Sequence, residues 1–192
     1  MPRLFIIAGC NGAGKTTASY TVLPEMLHCN EFVNADEIAR GVSPFQPEKA
    51  AFEAGRIMLN RIQELMHRKV DFAFETTLAS KTYTHTILQA KQSGYEVVLV
   101  FFWLESSELA KKRVRKRVSE GGHNIPDAVI ERRYLRGLKN LFALFIPLCD
   151  YWMIVDNSSN QPEIAADARK GLEPVILNHE IWNKIKTHGT AS

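Results

Sequence analysis

The sequence lacks the features that mark disulfide-rich, zinc-binding and membrane-spanning proteins. Its 192 residues include three cysteines, Cys10, Cys29 and Cys149. Because the number is odd and no two cysteines have a CxxC spacing, a disulfide framework or a zinc ribbon is not expected. The six histidines show no HExxH pattern. The longest apolar run, residues 97–104, is far shorter than the roughly 18 residues that span a bilayer. We therefore expect a soluble, cytoplasmic protein without membrane contacts.

A strong excess of one charge is absent from the chain as a whole but present in one segment. The formal net charge is +3, with 45% hydrophobic and 23% charged residues, which is typical of a globular protein. Residues 111–139, here called the basic segment, hold 10 of the 24 Lys and Arg but only 3 of the 21 Asp and Glu. This concentration predicts a local anionic partner. The length predicts a single domain over residues 1–192.

Short apolar runs alternate with helical patterns along the chain. The predicted strands are residues 4–8, 32–33, 72–74, 97–104 and 152–155, with an edge strand at 175–177. The predicted helices are residues 15–23, ended by Pro24, and 47–69, 81–92, 106–119, 127–142 and 179–186, with a weak helix after Pro162. Because strands alternate with helices and are apolar throughout, the pattern predicts a three-layer α/β fold with a mostly parallel sheet covered by helices on both faces.

Residues 9–16, GCNGAGKT, match the GxxxxGK[ST] phosphate-binding loop and lie between a predicted strand and a predicted helix. Glycines let successive backbone N–H groups turn inward around an anion, and the helix directs its positive end to the same place. Lys15 can reach the β- and γ-phosphates, and the Thr16 hydroxyl can hold Mg²⁺. The loop therefore predicts ATP and Mg²⁺ as cofactors, bound by Gly9, Asn11, Gly12, Ala13, Gly14, Lys15, Thr16 and Thr17.

Polar residues follow the predicted strands, where ligands gather in folds of this class. Asp36 follows the second strand and could act as a general base for a substrate hydroxyl. Asn34 could instead serve as a helix cap, with Glu37 three residues later, and the two roles are compatible.

The third and the last central strand also end in polar residues. Glu75 could orient a Mg²⁺-bound water or a substrate hydroxyl, or it could be a surface carboxylate; Thr76 and Thr77 follow it. Residues 156–158, Asp-Asn-Ser, could border the base pocket, but we favour a simple turn.

The basic segment contains two predicted helices joined by Gly121-Gly122. The first carries Arg117, and the second carries Arg132 and Arg133. Arginine forks bind phosphate oxygens bidentately, so the arrangement predicts a lid that closes over the phosphates. The alternatives are a solvated basic face and nucleic-acid binding, and the lack of aromatic residues in 105–131 disfavours base stacking. The role of His123 stays open.

Taken together, these segments resemble the zeta-toxin family of P-loop kinases, in particular its shorter chromosomal relatives. The similar pieces occur in family order: GCNGAGKTT at 9–17, NADEIA at 34–39, FETTL at 74–78, RVRKRV at 113–118 with GGHNIP at 121–126, IERRYLRGLKNL at 130–141, and VDNS at 155–158. The resemblance implies a P-loop kinase fold with an arginine-bearing lid over about residues 111–139.

The resemblance also implies an activity and the residues that perform it. The activity is ATP-dependent phosphorylation of a sugar hydroxyl on a nucleotide sugar, UDP-N-acetylglucosamine, and an antitoxin protein is an implied partner. Asp36 matches the general base, and Glu75, with Thr76 and Thr77, matches the part that positions the sugar. Arg117 best matches an arginine on the transferring phosphate. The implied catalytic set is Lys15, Asp36, Arg117 and Arg133, with Arg132 and His123 as other candidates for the second lid contact.

Other functions remain open from the sequence. A kinase for another hydroxyl acceptor, such as a sugar acid or an antibiotic, would show the same motifs. A nucleotide-binding regulatory or nucleic-acid-binding module would use the basic segment instead. A mechanical ATPase would need a strand ending in Asp-Glu and a glycine-rich signature between the motifs, and the sequence has neither.

Overall fold

A computed structural model describes residues 1–122 and 124–190 of the chain. Its strands are β1 (Arg3–Gly9), β2 (Phe32–Val33), β3 (Phe72–Thr76), β4 (Glu96–Trp103), β5 (Tyr151–Asp156), β6 (Glu163–Arg169) and β7 (Val175–Ile176). Its helices are α1 (Lys15–Thr21), α2 (Ala35–Val42), α3 (Ala51–Arg68), α4 (Thr82–Gln92), α5 (Ser107–Ser119), α6 (Asp127–Asn140) and α7 (His179–Thr190).

The strands form one sheet in the order β2-β3-β1-β4-β5-β6-β7. The first five strands in this order are parallel to one another, and β6 and β7 continue the sheet antiparallel. Residues 4–9 of β1 are all buried, although successive side chains point to opposite faces. Both faces of the central sheet are therefore covered, and the predicted mostly parallel α/β fold is confirmed.

The sheet places the ends of three neighbouring strands around the phosphate loop. In the β1–β3 register Ala8 lies opposite Thr76, and in the β1–β4 register Gly9 lies opposite Phe102. Because these strands are parallel, the segments after β1, β3 and β4 emerge at the same edge. This edge carries the candidate site.

The weak helix expected after Pro162 is wrong, because residues 163–169 form β6. The alanine-rich segment pairs with β5, and Ala166 and Ala168 lie opposite Ile154 and Trp152. Helix propensity is a weak preference that tertiary pairing overrides, and a parallel sheet ending at β5 would otherwise leave an open edge.

The helix expected to stop at Pro24 is also different. The α-helix ends earlier, at Thr21, and a π turn over Val22–Met26 continues past the proline. The N–H of Leu27 bonds to the carbonyl of Val22 at 3.0 Å, so the wider i→i−5 spacing carries the chain through Pro24. A similar π turn, Leu141–Phe145, follows α6 and shortens it by two residues relative to the expected end at 142.

Helix α2 was anticipated only through its cap, and the structure confirms that cap. The Asn34 side-chain oxygen accepts hydrogen bonds from the backbone N–H groups of Asp36 and Glu37. The Glu37 carboxylate pairs with Arg40 on the exposed side of the helix. The cap leaves the Asp36 carboxylate available at the first turn of α2.

Candidate active site

The phosphate loop lies between β1 and α1, and its glycines are required by backbone geometry. Gly9 has φ 142°, and a Cβ there would lie 2.3 Å from the carbonyl oxygen of Phe102. Gly14, the residue before α1, has φ 82° and a Cβ position only 2.5 Å from Nδ2 of Asn157. Larger residues at these positions would collide with the neighbouring strand ends, so the loop must be glycine-rich to fit.

Lys15 is held inside the loop and is only 5% exposed. Its Nζ donates a hydrogen bond to the carbonyl of Cys10 at 3.0 Å and lies 3.4 Å from Oε1 of Glu75. A buried ammonium needs such partners, because an isolated buried charge is strongly unfavourable. The lysine is therefore preorganised beside the loop.

Glu75 is the centre of a small polar cluster, which excludes its interpretation as a surface carboxylate. Its side chain is 10% exposed. Oε2 accepts a 2.7 Å hydrogen bond from the Thr16 hydroxyl and a 2.9 Å bond from the Asn34 amide. The cluster therefore connects β3, α1 and the start of α2.

The Thr16–Glu75 pair fits a magnesium site in its chemistry. Mg²⁺ prefers oxygen ligands, keeps several waters and is usually held by one or two protein groups plus substrate phosphates. A hydroxyl and a carboxylate beside the phosphate loop satisfy that requirement. In residues 1–122 and 124–190 no group of three or more His, Cys, Asp and Glu side chains could hold a metal by itself.

Two clefts meet at this edge of the sheet. The smaller, of about 190 Å³, is lined by Asn11, Lys15, Asn34, Ala35, Asp36, Glu75, Thr76, Thr77, Ser80, Tyr83 and Arg133. The larger, of about 720 Å³, is lined by Asp36, Arg40, Pro44, Phe45, Pro47, Glu48, Ala51, Gly121, Gly122, Asn124, Ile125, Pro126, Val129 and Arg133. Asp36 and Arg133 line both clefts, so they lie where the two meet.

The structure distinguishes between the two neighbouring arginines of α6. Arg133 lines both clefts, and its guanidinium donates to Oδ1 of Asn11 at 3.1 Å. Arg132 is exposed and lines neither cleft. His123, the third candidate for this contact, lies outside the described residues. The geometry therefore favours Arg133.

Arg117 is placed differently from the other candidates. It lies in the last turn of α5, half-buried, with its carbonyl accepting a 2.8 Å hydrogen bond from the N–H of Gly122. A Cβ at Gly122 would approach Cγ of Arg117 to 2.6 Å, so the glycine allows this close packing. Arg117 is not among the residues that line the two clefts, and its catalytic role stays a prediction.

The remaining predicted residues divide between cleft and scaffold. Thr76 and Thr77 both line the smaller cleft. The Thr76 hydroxyl in addition accepts a hydrogen bond from the N–H of Leu78, which has a positive φ of 56°. Asn11, expected to bind the cofactor, is buried, and its side-chain oxygen accepts the hydrogen bond from Arg133. Thr17 is exposed in the first turn of α1.

Some of the cations of the basic segment pair with carboxylates. The Nζ of Lys111 lies 2.7 Å from Glu108 and 2.9 Å from Glu131. Arg115 pairs with Asp127. The pairs with Glu131 and Asp127 join α5 to α6, so Lys111 and Arg115 help to hold the two helices together.

Sequence reasoning missed the contact made by the loop after β5. The turn at 156–158 is confirmed, because the N–H of Ser158 bonds to the Asp156 carboxylate at 2.9 Å. In addition, the Asn157 amide donates to the carbonyl of Ala13 at 2.8 Å, and Arg113 donates to the carbonyl of Ser158 at 3.1 Å. The only signal in the sequence was the position of Asn157 beyond the end of a parallel strand.

All three cysteines are free and buried. Burial raises the pKa of the Cys10 thiol to about 11, against a smaller opposing effect of Lys15. In the part of the chain that the structure describes, no helix combines the length and apolarity needed to cross a membrane.

The phosphate loop follows the first strand, and that strand lies between β3 and β4 in a mostly parallel sheet. Arginine-bearing helices follow β4. Together these features define the P-loop kinase fold. The chain belongs to the zeta toxin family, whose model matches residues 1–145. An uncharacterized protein of Haemophilus influenzae is 28% identical over 133 residues, which cover 69% of this chain and 92% of that protein.

Two solved structures share the fold across the whole chain. A chain of the AvrRxo1-ORF1:AvrRxo1-ORF2 complex, crystallised with sulphate ions, matches with a TM-score of 0.79 and 16% identity. A chain of the PezAT chromosomal toxin–antitoxin system of Streptococcus pneumoniae matches with a TM-score of 0.71 and 16% identity. The present chain spans 65% of the AvrRxo1 chain and 80% of the PezAT chain.

Proposed function

We propose that the protein is an ATP-dependent kinase that transfers the γ-phosphoryl group to a sugar hydroxyl of a nucleotide sugar such as UDP-N-acetylglucosamine. The observation that carries this proposal is the shared position of Asp36 and Arg133 in both clefts. A donor phosphate at the loop and an acceptor in the larger cleft would meet beside a carboxylate and a guanidinium. These are the two groups that such a transfer needs.

The donor side of the proposal rests on the phosphate loop and its surroundings. Lys15 would pair with the β- and γ-phosphates, and backbone N–H groups of a glycine-rich loop would bind the same phosphates. A second crystal structure of the AvrRxo1-ORF1:-ORF2 complex contains ATP, which supports ATP as the donor in a related fold. Mg²⁺, when bound, would neutralise phosphate charge, and Thr16 with Glu75 would hold it on the protein side.

In the proposed reaction the chain's own groups have separate tasks. Asp36 accepts the proton of the acceptor hydroxyl as that oxygen bonds to the γ-phosphorus and the bond to the β-phosphate oxygen breaks. Arg133 and Lys15 stabilise the negative charge that spreads over the phosphoryl oxygens. The Asn34 cap holds the backbone N–H of Asp36 at 2.8 Å and so fixes the start of its helix.

The larger cleft is the proposed place of the acceptor. Its volume of about 720 Å³ suits a ligand of nucleotide-sugar size. Arg40 and the 98% exposed Phe45 offer a cation and an aromatic surface there. To test the acceptor, the protein is incubated with Mg-ATP and a panel of nucleotide sugars, free sugars, sugar acids and aminoglycosides. If only nucleotide sugars gain the mass of one phosphoryl group, the proposed acceptor is supported. If only another class of compound gains it, that class is the acceptor and the nucleotide-sugar proposal is wrong.

The base role predicts that Asp36→Asn lowers turnover by about 10²–10⁴, the usual contribution of a general base. Asparagine keeps the shape of the side chain but accepts no proton, and the backbone N–H bonded to Asn34 is unchanged. Turnover and ATP affinity are measured on the same preparation, and ATP affinity should not change.

Glu37→Gln is the matched control for this variant. Glu37 follows Asp36 directly but pairs with Arg40 and lines neither cleft. Full turnover at saturating acceptor is expected in the control, because loss of the pair with Arg40 would affect acceptor binding and not proton transfer. Normal turnover of folded Asp36→Asn protein would leave Asp36 with a purely local role and remove the base from the mechanism.

In this proposal residues 1–192 form one kinase domain, and the basic segment closes as a lid that brings Arg117 toward the phosphates. An antitoxin protein is the proposed partner, supported by the structural similarity to a chain of the PezAT system. Three free buried thiols are compatible with the proposed cytoplasmic location, where thiols stay reduced.

A further inference from the structure

The side chain of Asn34 is buried between two parts of the candidate site. It is 6% exposed and uses both ends of its amide. Oδ1 accepts hydrogen bonds from the N–H groups of Asp36 at 2.8 Å and Glu37 at 3.3 Å. Nδ2 donates to Oε2 of Glu75 at 2.9 Å and lies 3.5 Å from the Thr16 hydroxyl.

Helix capping alone explains only half of these contacts. Serine, threonine and aspartate cap helices about as well as asparagine. A serine here would be too short to keep the bond to Glu75. An aspartate would direct a second carboxylate at Glu75. The primary amide is the group that accepts from the helix and donates to the carboxylate at once.

We propose that Asn34 is a positioning residue that couples the helix bearing Asp36 to the Thr16–Glu75 pair. By one end it fixes the first turn of α2, and by the other it holds the Glu75 carboxylate toward the Thr16 hydroxyl. The acceptor side and the metal side of the site are thereby set relative to each other by one side chain. This inference rests on the proposed kinase function for its effect on turnover, but the coupling itself exists in the nucleotide-free protein.

The first test separates positioning from capping with Asn34→Ser. Serine retains a cap but loses the bond to Glu75, so kcat should fall about 10–100-fold, the usual loss when a group that orients a metal ligand is removed. The tightening of ATP binding by Mg²⁺, measured by calorimetry with Mg²⁺ and with EDTA, should fall by a similar factor. ATP affinity in EDTA should stay unchanged.

Asn178→Ser is the matched control, because Asn178 makes contacts of the same two kinds and lines neither cleft. Its oxygen accepts from the N–H of Ile181 at the start of α7, and its amide donates to Glu163 at 2.8 Å. This variant should leave kcat and the Mg²⁺ effect at the level of the parent protein. Equal small effects of the two variants would reduce Asn34 to a cap and overturn the proposal.

The second test needs no activity. In nucleotide-free protein at neutral pH, N34D should lower the thermal midpoint by several degrees, because two carboxylates then face each other at hydrogen-bond distance. In the double variant N34D/E75Q the amide lies at position 75 and the carboxylate at position 34, so donor and acceptor are exchanged. The double variant should recover most of the lost thermal stability. If N34D and E75Q have additive effects on the midpoint, the two side chains are not coupled and the proposal is wrong.

These readouts also separate the two hypotheses. If no acceptor is phosphorylated by the parent protein, the proposed function fails. The N34D/E75Q cycle and the Mg²⁺ effect on ATP binding would still decide the role of Asn34.

Discussion

Lys15→Ala should abolish phosphoryl transfer and weaken ATP binding. The Nζ of Lys15 is a buried cation within the loop, and it is already oriented by the Cys10 carbonyl and by Glu75. An oriented cation in a site of low dielectric stabilises developing charge at no cost of reorganisation. Without it, the β- and γ-phosphates lose the cation that the loop itself supplies, and Arg133 and a bound Mg²⁺ cannot occupy its buried position. Turnover should fall to background, by more than about 10³-fold.

The same substitution also removes the cationic partner of Glu75, so folding has to be measured alongside turnover. Circular dichroism and thermal unfolding report the folded fraction, and turnover is expressed per folded molecule. Lys184→Ala is the control, because Lys184 is an exposed lysine that pairs with Glu180 on α7 and lines neither cleft. Retention of turnover in folded Lys15→Ala protein would refute the kinase proposal as a whole.

Arg133→Ala should lower turnover by about 10³–10⁵, the contribution of an arginine that stabilises the charge of a transferring phosphoryl group. Its guanidinium lies where the two clefts meet and is held by Asn11 of the phosphate loop. The proposed role places this contact mainly in the transition state, so ATP affinity should change much less than kcat. Steady-state kinetics and calorimetry on the same variant measure the two quantities.

Arg132→Ala provides a control from the adjacent residue of the same helix. Arg132 has the same charge and the same local sequence but is exposed and lies outside both clefts. Its loss should change turnover less than about threefold, as is usual for a surface charge. Similar losses from both variants would assign the effect to the general field of the basic segment and would take Arg133 off the catalytic list.

Most of the fold could be predicted because its signals are local. The five parallel strands are short runs of buried residues. The phosphate loop is a contiguous motif, and its glycines are required by the local backbone conformation. The cap at Asn34 was also visible, because capping depends on residues within one turn. The elements that were predicted incorrectly are those whose structure depends on residues far away in the sequence. The chain after Pro162 has helix-forming alanines, and only the open edge beside β5 makes it a strand.

The candidate site shows the same limit. Lys15, Thr16, Asp36 and Glu75 come from motifs and strand ends, and the structure brings them together. The choice between Arg132 and Arg133 needed the structure, because neighbours on a helix point about 100° apart and their order in the sequence does not say which one faces the cleft. The Asn157–Ala13 contact joins residues 144 positions apart, and no local pattern contains it.

The three buried cysteines supply a probe of the site that requires no acceptor. Thiol reagents attack the thiolate, and burial raises the pKa of Cys10 to about 11 and that of Cys149 to about 12. Alkylation of the folded protein therefore has to wait for opening of the chain around each thiol. A nucleotide bound at the loop stabilises the folded loop in which Cys10 is buried. ATP should therefore slow the alkylation of Cys10 more than that of Cys149. The ratio of the two rates would measure nucleotide occupancy directly by mass spectrometry.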